Sequence, residues 1–344
     1  MNLQKTSAWM ESEWQNGRFD SYAVLVCKNG EKQFLFSPDC NAETYFDVAS
    51  MGKVLVTSTL VLKAVSLGKV RLTDRLDVWF DDVPEEKRAI TVQQLLTHTS
   101  GIVRMQFSDR IADSGRDAVA EFILRTPLAF QPGTNYQYSC NGYVLLGYIV
   151  EKAYGKPLDC VYFEQLAKPL GLQRVAFHIA AEEPNAAVCY RWEHMGARRA
   201  DDEIIYTLHE VAGNGGEQMS LSAIAQFCEA VLRRDERLYA KELFDLAERD
   251  YTPDFTEGRG LGYLMVDARY RQTGSLFPSG SFGHCGHSGQ CFYLNRAQGL
   301  YVIVLTNATR CLNRKNHFRG YDYRVICEMR RTIHNLIAKD FGIE

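Results

Sequence analysis

The sequence has no excess of charge of either sign. Its 344 residues carry 39 Lys plus Arg against 42 Asp plus Glu, a formal net charge of −3. A nucleic-acid partner would call for a basic excess, so composition argues against one. Arg324, Arg330 and Arg331 offer only a local basic patch. Long apolar runs are missing too. The longest apolar-rich stretches, residues 54–62 and 143–150, fall short of the roughly 20 residues a bilayer span requires, so no membrane partner is expected. The first residues lack the charged start, apolar run and small-residue cleavage site of an export leader. The ten cysteines are scattered. Together these features predict reduced thiols and a cytosolic location.

Several signatures are absent as well. There is no G-x-S-x-G, which excludes a nucleophile elbow. There is no G-x-x-x-x-G-K-[ST] and no dinucleotide fingerprint. His284, Cys285, His287 and Cys291 are all metal-ligand types, yet no C-x-x-C pair or H-E-x-x-H accompanies them. A strand would also point His284 and Cys285 to opposite faces, so no metal and no cofactor are expected.

What remains is an ordinary folded composition, 46% apolar and 24% charged, in a chain long enough for about two domains. Residues 2–17 read as a helix. Residues 22–26 and 33–36 flank Asn29-Gly30, the favoured hairpin turn. Residues 47–67 read as one long buried helix ending at Gly68. Helical patterns follow at 91–96, 117–125 and 143–154, the last with Gly155 as C-cap, and at 220–233. Strand patterns return at 262–266, 281–285, 291–295 and 300–306, before a closing helix over 323–339. Strands at both chain ends with helices between predict an α+β arrangement. An antiparallel sheet flanked by helices would come from 1–68 and 205–344, and an inserted helical domain from 69–204. The functional cleft is expected between them.

Three segments carry candidate chemistry. In Ser50-Met51-Gly52-Lys53, a helix would set Ser50 and Lys53 on one face. A desolvated, neutral lysine can then take the serine proton and make a nucleophile. The same spacing recurs at Ser66-Leu67-Gly68-Lys69, beside a predicted helix end, and is read as a coincidence. Tyr138-Ser139-Cys140 offers a tyrosine able to act as general base if cations lower its pKa. Phe282-Gly283-His284-Cys285-Gly286-His287 is a strand whose glycines permit close approach of a ligand; His284 is expected to donate to a substrate or oxyanion. Gly213-Asn214-Gly215-Gly216 reads as a flexible loop lining the cleft. Asp81, Asp82, Glu85 and Glu86 read as a solvated face.

Taken in order, Ser50-Met51-Gly52-Lys53, Leu95-Leu96-Thr97-His98-Thr99-Ser100-Gly101, Pro132-Gly133-Thr134, Tyr138-Ser139, Gly142-Tyr143 and Phe282-Gly283-His284 resemble the serine β-lactamase and penicillin-binding-protein superfamily. The resemblance is to its class C-like branch of carboxylesterases and related hydrolases, over about residues 20–310. It implies a β-lactamase/transpeptidase-like fold and an acyl-enzyme at Ser50 beside Lys53. Tyr138 would be the base and His284 would stand at the third motif. The backbone amides of Ser50 and His287 would form the oxyanion hole. Cys140 and Cys285 replace Asn and Thr or Ser at substrate-binding positions, next to Gly286. A thiol is a weak donor and a weak acceptor, and a neutral His284 would lack a fixed positive charge. These departures argue for small esters or amides over β-lactams and carboxylate-terminated peptides. The alternatives are a β-lactamase or D,D-peptidase, and a non-catalytic binding module. Oligomeric state is left open.

Overall fold

The computed structural model describes residues 2–103, 115–180, 183–189, 202, 204, 205, 208, 211–270, 272–317 and 319–343. Two-residue alternation along the strands builds the main layer. The strands are β1 (Tyr22–Lys28), β2 (Glu31–Phe36), β3 (Tyr45–Asp47), β4 (Val175–Ala176), β5 (Gln218–Ser220), β6 (Leu264–Met265), β7 (Phe282–Cys285), β8 (Cys291–Asn295) and β9 (Leu300–Thr306). Six of them form an antiparallel sheet in the order β2-β1-β9-β8-β7-β6. Val24, Val26, Val302 and Val304 face one core with Met10, Ile326, Ile333 and Ile337 of the terminal helices. Ala23, Leu25, Ile303 and Leu305 face the other core, because successive side chains in a strand point to opposite faces. Gln4–Gln15 and Tyr323–Phe341 are the two terminal helices. The Asp340 carboxylate joins them, accepting from the Thr6 backbone N–H and hydroxyl at 2.8 Å each.

The punctuation residues end elements where expected. Asn29 and Gly30 both have positive φ, and Lys28 pairs Glu31 across them, the geometry a two-residue hairpin demands. Thr91 and Gln94 form a complete capping box on helix Val92–Leu96. Gly155 closes helix Cys140–Tyr154 at φ 67°. Two expectations change. The stretch predicted as a single helix over 47–67 is a strand to Asp47, a 3-10 turn at Ala49–Met51, a π-helical segment at Lys53–Ser58 and an α-helix at Thr59–Ser66. The whole of Ala49–Ser66 is apolar enough by length and composition to cross a membrane, but it is mostly buried inside the protein. A second small sheet, β3-β5-β4, takes one strand from the helical block. Its strands are two or three residues long, too short to show a period. Much of the stretches 103–116 and 180–210 lies outside the described residues.

Candidate active site

The strand β3 delivers the chain to Ser50 through a tight turn. Ala49 adopts φ +47°, a conformation L-residues adopt at a cost. Asp47 Oδ1 accepts from the Ala49 N–H at 2.7 Å, and Gln290 Nε2 donates to the Asp47 carbonyl at 2.7 Å. Gln290 lies in the β7–β8 turn, so it clamps the third-motif strand to the nucleophile turn. A Cβ on Gly286 would stand 3.0 Å from Ala49 Cβ and 2.7 Å from Gln290 Oε1. Only glycine lets the backbones of the turn around Ser50 and the segment leading to His287 approach this closely.

Ser50 is half-buried and opens on a cleft of about 570 Å³. Lys53 is fully buried. Its Nζ donates to Ser50 Oγ at 3.0 Å and to the Asn214 carbonyl at 2.7 Å. The rings of Tyr138 and Tyr143 flank the amine at 5.2 and 5.7 Å. The Gly213–Gly216 segment is therefore no flexible loop. It is buried, it holds Lys53 through Asn214, and the Gly213 carbonyl accepts from Thr57 Oγ1 at 2.7 Å. Tyr138 is half-buried in the cleft wall and hydrogen-bonded to Ser50. Burial pushes its phenol well above the usual range, and Ser50 and Arg259 only partly oppose that. His98 fixes the segment that carries Tyr138: its Nδ1 accepts from the Ser139 N–H at 3.1 Å, and its ring lies 4.6 Å from that of Tyr138.

Sequence reasoning missed Arg259, for which no motif exists. It is buried in the cleft, ion-paired with Glu257, and donates to Tyr136 Oη at 2.9 Å. Burial opposes its charge, but Glu257 and Tyr136 more than offset this and raise its pKa. It also overturns the donor role expected of His284. The buried His284 Nδ1 lies 3.0 Å from the Cys285 carbonyl, an atom that can only accept, so Nδ1 carries the proton. Nε2 then presents a lone pair to Arg259 Nη1 at 3.4 Å. Burial, then Arg259 and Lys53, hold His284 well below the usual histidine range, so it is neutral and an acceptor. A neutral His284 brings no fixed positive charge, as expected; the cation of this wall is Arg259, paired with Glu257.

Cys140, Cys285 and His287 line the same cleft, with Tyr136, Tyr270 and Tyr323. Cys291 does not join them: its Sγ faces His334 Nε2 at 3.8 Å in the core beneath the terminal helices. Among the described residues no three His, Cys, Asp or Glu side chains converge on a metal site. The second Ser-x-x-Lys is elsewhere. Ser66 Oγ donates to the Leu62 carbonyl at 3.0 Å and accepts from the Ala240 N–H at 2.8 Å, and Lys69 is exposed.

Comparison with known proteins adds a family. A family model described as Beta-lactamase matches residues 6–318. Esterase EstB of Burkholderia gladioli is 29% identical over 308 residues, covering 77% of this chain and 78% of its own. N-acetylmuramyl-L-alanine amidase of Bacillus subtilis (strain 168) is 26% identical over 299 residues, covering 77% and 68%. The octameric penicillin-binding protein homologue from Pyrococcus abyssi superposes with a TM-score of 0.77 at 20% identity, over 99% of this chain and 78% of its own. That last likeness shows the fold.

Proposed function

The chain belongs to the Beta-lactamase family, and from that premise we propose that it is a serine hydrolase cleaving small esters or amides through an acyl-enzyme on Ser50. The observation that carries this is the contact of Lys53 Nζ with Ser50 Oγ at 3.0 Å, beside Tyr138, at the edge of the cleft. The relatives that bear the names of an esterase and an amidase support the same bond type.

Ser50 Oγ attacks the acyl carbonyl. A phenol raised above its ordinary value, as that of Tyr138 is, keeps its proton at neutral pH, so Lys53, in contact with Ser50 Oγ, takes the serine proton. The backbone N–H groups of Ser50 and His287 hold the oxyanion. Collapse breaks the bond to the leaving group, which takes the Tyr138 proton, and Lys53 returns a proton to Tyr138. Water repeats the sequence in reverse roles and frees Ser50. Tyr138 is thus a relay, in place of the resting base that the resemblance implies. Arg259 holds Tyr136 and His284 along one wall, and Cys140 and Cys285 line the same cleft. The scattered spacing of the ten cysteines is the ground for proposing a reducing compartment.

A second reading rests on Arg259. A guanidinium in the cleft is what a carboxylate-bearing substrate, such as a penicillin or a D,D-peptide, would use, if that carboxylate took the place of Glu257 on Arg259. Intact-protein mass after brief exposure to an activated acyl ester and, separately, to a penicillin tests both, with wild type beside Ser50→Ala. A Ser50-dependent acyl adduct with the ester alone is the expected result. An adduct with penicillin favours the second reading. No Ser50-dependent adduct with either reagent would overturn acyl transfer and favour a non-catalytic module.

A further inference from the structure

Beneath the nucleophile lies a carboxyl group that the acyl-transfer scheme does not use. Glu217 immediately precedes β5 and is fully buried. Neither of its side-chain oxygens has a hydrogen-bond partner among the described residues. A Cβ built on Gly52 would lie 1.9 Å from Glu217 Oε2 and 2.8 Å from its Cδ. Gly52 has φ −55° and ψ −27°, an ordinary helical conformation open to any residue. A side chain there would therefore force Glu217 to move, because the Glu217 carboxyl fills that space. The backbone locks the pair together, since the Val48 N–H donates to the Glu217 carbonyl at 3.1 Å.

The titratable and charged groups facing this carboxyl are Lys53 from the π-helical segment, Asp47 from β3 and Tyr162 from helix Leu158–Tyr162. We propose that Glu217 is a positioning residue for the Ser50–Lys53 pair, packed in the volume that Gly52 vacates, and that it serves that pair as the neutral acid. The inference rests on Lys53 serving Ser50. As a neutral acid, Glu217 leaves the Lys53 amine to its two partners, Ser50 Oγ and the Asn214 carbonyl. As a carboxylate it would pull that amine away from Ser50. No covalent step is involved; one proton leaves Glu217 for solvent as pH rises. Burial is the main cause that pushes this carboxyl up to about 8, against the attraction of Lys53. The neutral acid therefore predominates at neutral pH.

Glu217→Gln keeps the shape and removes the titration. The ratio of wild-type to variant kcat/KM on an activated ester is expected to be level below about pH 7 and to fall about tenfold between about pH 7 and about pH 9. A purely structural role would rescale the ratio without bending it, and a level ratio overturns the proposal. A second readout needs no activity. In the folded chain Glu217 keeps its proton to higher pH than in the unfolded chain. The stability this contributes is fully present below the ordinary Glu value and is lost as pH rises through about 8. The wild-type Tm should therefore fall relative to that of Glu217→Gln by roughly 5 °C between about pH 4.5 and about pH 8.5. Parallel Tm curves overturn the proposal even if no ester is cleaved, whereas failure of the Ser50 reading appears only in the adduct mass. If Glu217→Gln does not fold, the spatial half is tested by Gly52→Ala. That change should lower Tm, and the double variant Gly52→Ala with Glu217→Ala should recover at least half of the loss. No recovery overturns the shared volume.

Discussion

Ser50-Met51-Gly52-Lys53 and Ser66-Leu67-Gly68-Lys69 are one pattern twice, down to the glycine, at the two ends of one helical stretch. At the first, Lys53 is fully buried and its amine reaches Ser50 Oγ. At the second, helix Thr59–Ser66 has ended, Lys69 is exposed over the Tyr154 ring, and Ser66 satisfies backbone groups of Leu62 and Ala240. The two glycines differ as well. Gly68 ends the helix with φ +66° and open space around it, while Gly52 is helical and crowded by Glu217. Spacing puts a serine and a lysine on one face; only burial, a second acceptor such as Asn214 and a cleft give that pair a proton to move.

Substitutions at the two tetrads sharpen this contrast. Ser50→Ala should lower kcat/KM on an activated ester by at least about 10⁴-fold, with the Ser66→Ala value within about twofold of wild type. Steady-state kinetics on both variants checks this, and an equal loss at Ser66 would break the comparison. The next largest effect belongs to the relay. Tyr138→Phe keeps the ring against His98 and Lys53 but removes the hydroxyl, and should cost about 10²- to 10³-fold, mainly in kcat. A loss confined to KM would make Tyr138 a binding residue instead.

How much of this was legible follows from what kind of signal each residue gives. Asn29-Gly30, Thr91 with Gln94, and Gly155 act locally, through φ or a cap a few residues away, and each can be read from its neighbours. Ser50, Lys53, Tyr138 and His284 came as separate short segments whose order, more than their chemistry, marked them. Arg259 and Glu217 gave no signal. Arg259 matters because the loop before β6 folds back onto His284 and Tyr136. Glu217 matters because of an atom that Gly52 lacks. The role of His284 was misread for the same reason: its tautomer depends on the Cys285 carbonyl and on an arginine distant in sequence. The strands β3, β4 and β5 were missed because two or three residues show no period.

The third effect tests the wall that sequence could not show. Arg259→Gln deprives the Glu257 carboxylate, only 12% exposed, of its guanidinium and leaves it the Tyr136 hydroxyl at 2.8 Å. Removing one partner of such a pair should cost about 3 kcal/mol of stability, and pairing it with Glu257→Gln should recover much of that. Denaturant unfolding of the single and double variants decides it; additive losses would mean that the two side chains are not coupled. Wild-type-like stability of Arg259→Gln would remove the ion pair from any account of how Tyr136 and His284 are held.

The smallest effect returns to the second tetrad. The Ser66 hydroxyl accepts from the Ala240 N–H at 2.8 Å and donates to the Leu62 carbonyl at 3.0 Å, tying the end of the helix to the segment before helix Glu242–Ala247. Ser66→Ala leaves that amide without its acceptor in a half-buried place, which should cost about 1 kcal/mol. Lys69→Ala removes an exposed amine over an aromatic ring and should cost about 0.5 kcal/mol. Neither change alters the cleft, so the rate should follow only the folded fraction. Stability loss without rate loss at Ser66, set against rate loss far beyond any stability loss at Ser50, would establish that the same four-residue pattern serves as scaffold at one end of the stretch and as chemistry at the other. If Ser66→Ala instead lowered kcat with unchanged Tm, the helix end would be coupled to the nucleophile turn, and the two tetrads would have to be treated as one unit.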